Sequence, residues 1–213
     1  MLLEQERKTI VAYGKKLITS QLTTGTGGNL SICNRENGLI AIKPSGIDYF
    51  EMQPEDVVVV DLDSNKIDGH LKPSSEIHFH LGLYHHRKDI NAVVHTHQVY
   101  ATTIACLKWE LPAVHYLVGL SGNKVPVAPY ATYGSKELSD NIMQTIGNYN
   151  ACLMANHGLV TVGTSMASAF ATAEEIELVS RLYYQAKCIG EPTILSDEEM
   201  KAVMKKFGTY GNL

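Results

Sequence analysis

The chain has 213 residues, 45% of them hydrophobic and 19% charged, with a formal net charge of −4. That balance fits a globular protein with a real core and gives no reason to expect nucleic acid or an anionic membrane as a partner. No run approaches the ~20 apolar residues of a membrane span, and the charged start Glu4-Gln5-Glu6-Arg7-Lys8 does not read as a signal peptide, so the expected location is cytoplasmic.

In chain order, residues 3–22 carry helical spacing, with Leu3, Ile10, Val11, Leu17, Ile18 and Leu22 near one stripe. A turn-rich loop follows, Thr23-Thr24-Gly25-Thr26-Gly27-Gly28-Asn29, and then strands at Leu30–Cys33, Leu39–Ile42 and Val57–Val60. Ser74 is placed to cap a helix, with Glu76 in its first turn where the helix dipole favours an anion. A strand over 92–96 precedes a helix over 101–107. A short strand at 126–128 and a helix over 135–146 come next. Ala151–Met154 and Leu159–Val162 bracket an Asn156-His157-Gly158 turn as a hairpin. The longest helix runs over 165–189 and stops at Gly190, and Ser196 opens a last short helix ending near Gly208. With no linker or repeat, residues 1–213 make a single domain of α/β (α+β layered) class, a central, mainly antiparallel sheet flanked by helices. Cys33, Cys106, Cys152 and Cys188 form no CxxC pair and are expected to be reduced and buried.

The chemistry begins at Val93-Val94-His95-Thr96-His97. Alternation along a strand puts His95 and His97 on one face, and two imidazoles there are most of a divalent metal site. His157 is a third candidate, although a histidine in an Asn-His-Gly turn can simply shape the turn. Glu76 is either a first-turn acid or a carboxylate that ligates a metal or serves as a base beside it. His70, His78, His80, His85 and His86 read as ordinary polar histidines on loops or helix surfaces. Thr26-Gly27-Gly28-Asn29, Pro44-Ser45-Gly46 and Pro73-Ser74-Ser75 offer free N–H groups and hydroxyls of the kind that bind phosphate. None of them is a P-loop or a GxGxxG motif, which argues against a nucleotide enzyme.

Taken together, Lys72-Pro73-Ser74-Ser75-Glu76, Val93-Val94-His95-Thr96-His97 and Asn156-His157-Gly158 resemble the class II aldolase/epimerase family of sugar-phosphate enzymes, over nearly the whole chain. Within it, Leu111-Pro112-Ala113-Val114-His115-Tyr116, Ala128-Pro129-Tyr130-Ala131-Thr132-Tyr133-Gly134 and the tail through Lys206-Phe207-Gly208-Thr209-Tyr210-Gly211 resemble the branch that cleaves L-fuculose 1-phosphate to dihydroxyacetone phosphate and L-lactaldehyde. The resemblance implies that His95, His97 and His157 hold one Zn²⁺ per subunit, with Glu76 both a ligand in the empty site and the base once substrate displaces it. It places substrate phosphate at Gly28, Asn29, Ser45, Gly46, Ser74 and Ser75. Tyr116 would be an acid contributed across a subunit boundary, and Tyr210 a C-terminal tyrosine that closes over the site. The implied assembly is a homotetramer with active sites between neighbours.

Other branches remain open: rhamnulose-1-phosphate aldolase, methylthioribulose-1-phosphate dehydratase and L-ribulose-5-phosphate 4-epimerase. The epimerase branch carries Asp where Glu76 stands and needs a further Asp after the histidine pair, yet residues 111–139 contain none. A non-catalytic scaffold of this fold, as in the adducin head, need not keep His95, His97, His157 and Glu76 together. Two departures from the fuculose branch bear on aldehyde preference: Tyr133 stands where Phe is expected, and Ser45 where Thr is expected.

Overall fold

Two apolar cores, one on each face of a single sheet, organise the computed structural model, which describes residues 1–208. The elements run in order α1 (Glu4–Thr19), β1 (Asn29–Asn34), β2 (Leu39–Ile42), β3 (Val58–Asp61), β4 (Lys66–Asp68), α2 (Ile77–His86), β5 (Ala92–Thr96), α3 (Val99–Cys106), β6 (Val127–Ala128), α4 (Lys136–Ile146), β7 (Ala151–Met154), β8 (Gly158–Gly163), α5 (Met166–Ile189) and α6 (Asp197–Phe207). The eight strands lie in the order β4-β3-β2-β1-β5-β8-β7-β6. Every neighbouring pair is antiparallel except β6 with β7. This is the mainly antiparallel α/β sheet expected from the sequence.

Strand alternation divides the side chains between the two cores. Ala92 and Val94 of β5 join Leu17, Ile104 and Ile176, under α1, α3 and α5. Val93 joins Phe79, Ile142 and Val160, under α2 and α4. His95, two residues on from Val93, therefore falls on the α2 face, and its ring meets Phe79 edge-on at 5.5 Å. The central strands β1, β5 and β8 pair in tight register, Asn29 opposite His95 and His95 opposite Val160. A functional side chain on β5 is thus held from both sides.

Three local expectations change. β4 was not foreseen, because Lys66-Ile67-Asp68 has no apolar alternation; it is an exposed edge strand, with Asp68 paired to the buried Arg7. Cys33 and Cys152 are buried and free as expected, but Cys106 and Cys188 are free and exposed, since both sit near the last turn of a helix on its outer side. The helix expected from Ser74 begins instead at Ile77. Among the described residues, no helix is long and apolar enough to cross a membrane.

Candidate active site

β5 ends at Thr96, so His97 lies one residue beyond the strand. Its ring still turns toward His95, and the two Nε2 atoms are 2.9 Å apart. His157, in the turn between β7 and β8, completes a set in which one nitrogen from each ring lies within 4.8 Å of the others. Glu76, at the N-terminal boundary of α2, closes the group. Its Oε2 is 3.2 Å from His95 Nε2 and its Oε1 is 3.3 Å from His157 Nε2.

His95 fixes the chemistry of this cluster. Its Nδ1 lies 2.9 Å from the Leu159 carbonyl oxygen, which can only accept, so Nδ1 carries the hydrogen. A neutral His95 then turns its Nε2 lone pair toward His97 and Glu76. Glu76 Oε1 is buried and makes no hydrogen bond. Lone pairs and carboxylate oxygens that face one another need a proton or a cation between them. The 2.9 Å nitrogen separation is close to the ~3.3 Å between ligands of a tetrahedral centre with bonds of about 2.0–2.1 Å. A carbonyl behind a ligating imidazole is also how metal sites orient their histidines. The donor set fits a divalent ion.

Beside the cluster opens a cavity of about 460 Å³, lined by three loops that the chain ties together. Pro44 bridges Pro73, the Ser45 N–H donates to the Lys72 carbonyl at 3.1 Å, and the Ser74 N–H donates to the Lys43 carbonyl at 3.1 Å. This pairing explains the late start of α2: residues 73 and 74 run against 43 and 44 and cannot also be helical. Ser74 Oγ accepts from the Glu76 N–H at 3.3 Å, so the serine shapes the turn that presents Glu76. Gly28 has φ 68°, and a Cβ there would lie 2.6 Å from the His95 carbonyl oxygen, so only glycine lets this loop lie against β5. Gly28, Asn29, Ser45, Gly46, Ser74 and Ser75 all line this one cavity, with Glu76, His97 and His157.

The other two candidates fall elsewhere. Tyr116 opens a short 3-10 helix over 116–120, is about half exposed and packs near Phe207 at 6.2 Å between ring centres. It does not line the cavity of its own chain. Tyr210 lies outside the described residues.

A family model for the "Class II Aldolase and Adducin N-terminal domain" matches residues 8–184. The 5-deoxy-D-ribulose 1-phosphate aldolase of Bacillus thuringiensis serovar kurstaki is 54% identical over 211 residues, 99% of each chain. The L-fuculose phosphate aldolase of Escherichia coli K12 is 39% identical over 192 residues, 89% of this chain and 88% of its own. A solved structure of an L-fuculose 1-phosphate aldolase superposes with a TM-score of 0.94 at 46% identity, covering 96% of each chain. The chain belongs to the class II aldolase family. Class II aldolases depend on a metal, and the three-histidine cluster of this one could hold such an ion.

Behind Glu76, this class II aldolase has a buried relay that sequence reasoning missed. A carboxylate only accepts, so Asn29 must turn its Nδ2 toward Glu76 Oε2, 2.8 Å away. Asn29 Oδ1 then faces His80 and must accept from the Nε2–H. His80 Nδ1 is left as an acceptor for the Ser31 hydroxyl at 2.6 Å, and Ser31 accepts from the Tyr84 hydroxyl at 2.8 Å. Every link is directed, starting from the charge on Glu76. His80 is fully buried rather than on a helix surface. Its signal in the sequence was the spacing Glu76, His80, Tyr84, one helix face, opposite Asn29 and Ser31, one strand face.

Without a cation, the electrostatics favour a proton on His95 and neutral rings on His97 and His157. Burial alone would raise the Glu76 carboxyl, but His95, His157 and the Asn29 amide outweigh it and hold the group well below the usual carboxylate range. Burial opposes charge on His95, and the Glu76 carboxylate overcomes this and raises its pKa. Burial, reinforced by His95, pushes His80 and His97 down to about 3 and His157 to about 4. All three are neutral at pH 7, the form that ligates or relays.

Two outcomes follow. His80→Leu leaves Asn29 Oδ1 buried without its donor and Ser31 without its acceptor, and should cost about 2–4 kcal/mol of unfolding free energy; an unchanged urea midpoint would contradict the relay. The depressed histidines and Glu76 also make stability pH-dependent. An unfolded chain binds more protons than the folded one once pH falls below 6.5, the ordinary histidine value. In chelator-treated protein the stability they contribute is therefore complete above pH 6.5 and declines toward pH 4, so thermal midpoints should fall across that interval. A flat profile would contradict it.

Proposed function

We propose that this class II aldolase reversibly cleaves a ketose 1-phosphate into dihydroxyacetone phosphate and a short aldehyde. One observation carries the proposal: ring nitrogens of His95, His97 and His157 and the unpaired Glu76 oxygen cluster beside the cavity formed by the three small-residue loops. A charged-end anchor and a carbanion-stabilising centre side by side are what the aldol reaction of a phosphorylated ketone requires.

His95, His97 and His157 would hold the metal, Zn²⁺ by the chemistry of three imidazoles with a carboxylate close by. Bound there, a divalent cation supplies Lewis-acid stabilisation of the negative charge that builds on the substrate oxygens. The rest falls to the chain. Gly28, Ser45, Gly46, Ser74 and Ser75 anchor the phosphate through N–H groups and hydroxyls, fixing the reacting carbon near Glu76. Asn29, oriented by His80, holds Glu76 in place. In the condensation direction, Glu76 takes the proton from the hydroxymethyl carbon, and the C–H electron pair moves into the ketone. The carbon attacks the aldehyde, whose oxygen takes a proton from a hydroxyl donor. Cleavage runs these steps backward. Tyr116, about half exposed and outside its own chain's cavity, suits the donor only if a neighbouring subunit presents it, which is the role it would have in a homotetramer.

The substrates named for the relatives share the dihydroxyacetone phosphate half and differ in the aldehyde. 5-Deoxy-D-ribulose 1-phosphate is favoured, because the relative so named is 54% identical over 99% of this chain, against 39% over 89% for the fuculose phosphate enzyme. L-Fuculose 1-phosphate is the second reading, favoured by the close structural match. Tyr130 and Tyr133, exposed at the cavity, are placed to meet the aldehyde half.

The test is cleavage by zinc-loaded protein of both ketose 1-phosphates, read as dihydroxyacetone phosphate released. The expected result is turnover of both, with the higher kcat/KM on the deoxyribulose ester; no turnover of either contradicts the proposal. Glu76→Gln should slow deuterium exchange into dihydroxyacetone phosphate by roughly 10²-fold or more, the usual scale of a general base. Undiminished exchange removes Glu76 from that role.

A further inference from the structure

His97 lies one residue past the end of β5, beyond the strand pairing that fixes His95. Among the described residues, its ring has no acceptor of the kind that the Leu159 carbonyl offers His95. Gly27 and Gly158 flank the ring without side chains to wedge it, and a Cβ at either would lie 3.0 Å from a ring atom. Its aim is therefore set by its backbone. There the His97 N–H donates to the Leu22 carbonyl at 3.0 Å, and the chain runs through Gln98 directly into α3.

α5 grips this junction at two residues one helical turn apart, 173 and 177. Gln98, fully buried, accepts from the Thr96 hydroxyl at 2.6 Å and donates its amide to the Ala173 carbonyl at 2.9 Å. Committed there, its side chain makes no cap bond to α3, although Gln98 is the residue that precedes the helix. Glu177 of α5 supplies the cap instead. One carboxylate oxygen accepts the Tyr100 N–H and the other the Ala101 N–H, each at 2.9 Å. These are the second and third donors of the helix, which a helix ordinarily satisfies from its own preceding side chain. The negative charge also sits at the positive end of the α3 dipole. Burial raises the Glu177 carboxyl against the pull of these N–H groups and of Arg181, a cost that a solvent-facing local cap would not carry.

We infer that Glu177 is a positioning residue for His97, holding from α5 the start of α3 and with it the junction that aims the His97 ring at the other two imidazoles. This rests on the reading that His95, His97 and His157 hold a divalent ion, and extends it to a residue on another helix that does not line the cavity. A cap that only stabilises α3 is the competing account.

Zinc affinity separates the two, measured by competition with a chromophoric chelator at a temperature where every variant is folded. Glu177→Ala should bind zinc roughly tenfold or more weakly than wild type, the usual effect of losing a group that orients a ligand. Glu177→Gln, which keeps the shape and one acceptor oxygen, should fall between the two. Ser196→Ala removes the cap of α6 and should lower the thermal midpoint while leaving zinc affinity unchanged. Wild-type zinc affinity in Glu177→Ala, with only the midpoint lowered, overturns the inference. If Glu177→Ala does not fold, Glu177→Gln carries the test: weakened zinc supports the inference and wild-type affinity overturns it. Failure of both to fold assigns Glu177 to folding alone and overturns it too. Zinc that wild type does not take up, or takes up equally well after His97→Ala, removes the metal reading and the inference with it. Should zinc binding depend on His97 and Glu177 while no ketose 1-phosphate is cleaved, the inference stands and the proposed reaction falls.

Discussion

The hydrogen bond from His95 Nδ1 to the Leu159 carbonyl is the constraint on which the site depends. It crosses between β5 and β8, two central strands of the sheet, and decides which nitrogen of His95 is free. With Nδ1 committed to that carbonyl, Nε2 is the nitrogen of His95 that faces His97 and Glu76, open to a proton or a cation. A loop could not hold such a donor to a fraction of an ångström; a strand paired on both edges can. The fold therefore gives its most rigid position to the histidine that every other member of the cluster approaches.

The second constraint is a match of periods between α2 and β1. Four residues of helix rise about 6 Å and two residues of strand about 6.6–6.8 Å. Glu76, His80 and Tyr84 thus keep step with Asn29 and Ser31 along the contact, and the relay closes without a gap. The cost is a row of polar groups inside an otherwise apolar layer of Phe79, Leu83, Val93 and Ile142, tolerated because each polar group has a partner. The layer fixes the Glu76 carboxylate at the wall of the cavity.

Much of this was legible in the residues. Alternation placed β2 and β5 to the residue, and the helices expected to start at Ser135, Ser165 and Ser196 do start there, each capped by its serine. The histidines and the small-residue loops do come together. What was hidden depended on long-range pairing. The antiparallel bridge between Pro44 and Pro73 delays α2 past a good capping serine, and no local signal announces it. His80 has the pattern of any polar helix residue, and only the strand opposite reveals its role. The edge strand β4 is held by pairing to β3, not by its own pattern. Tyr116 shows a different limit, since one chain does not bring it to the cavity.

The central claim is that the cluster of His95, His97, His157 and Glu76 holds one divalent cation beside the cradle. The most direct measurement is anomalous diffraction at the zinc edge from crystals of zinc-loaded protein. The account predicts one strong peak per chain, about 2.0–2.1 Å from a ring nitrogen of each of the three histidines. No peak there, or a peak held by other residues with the three imidazoles still bonded to one another, would contradict it.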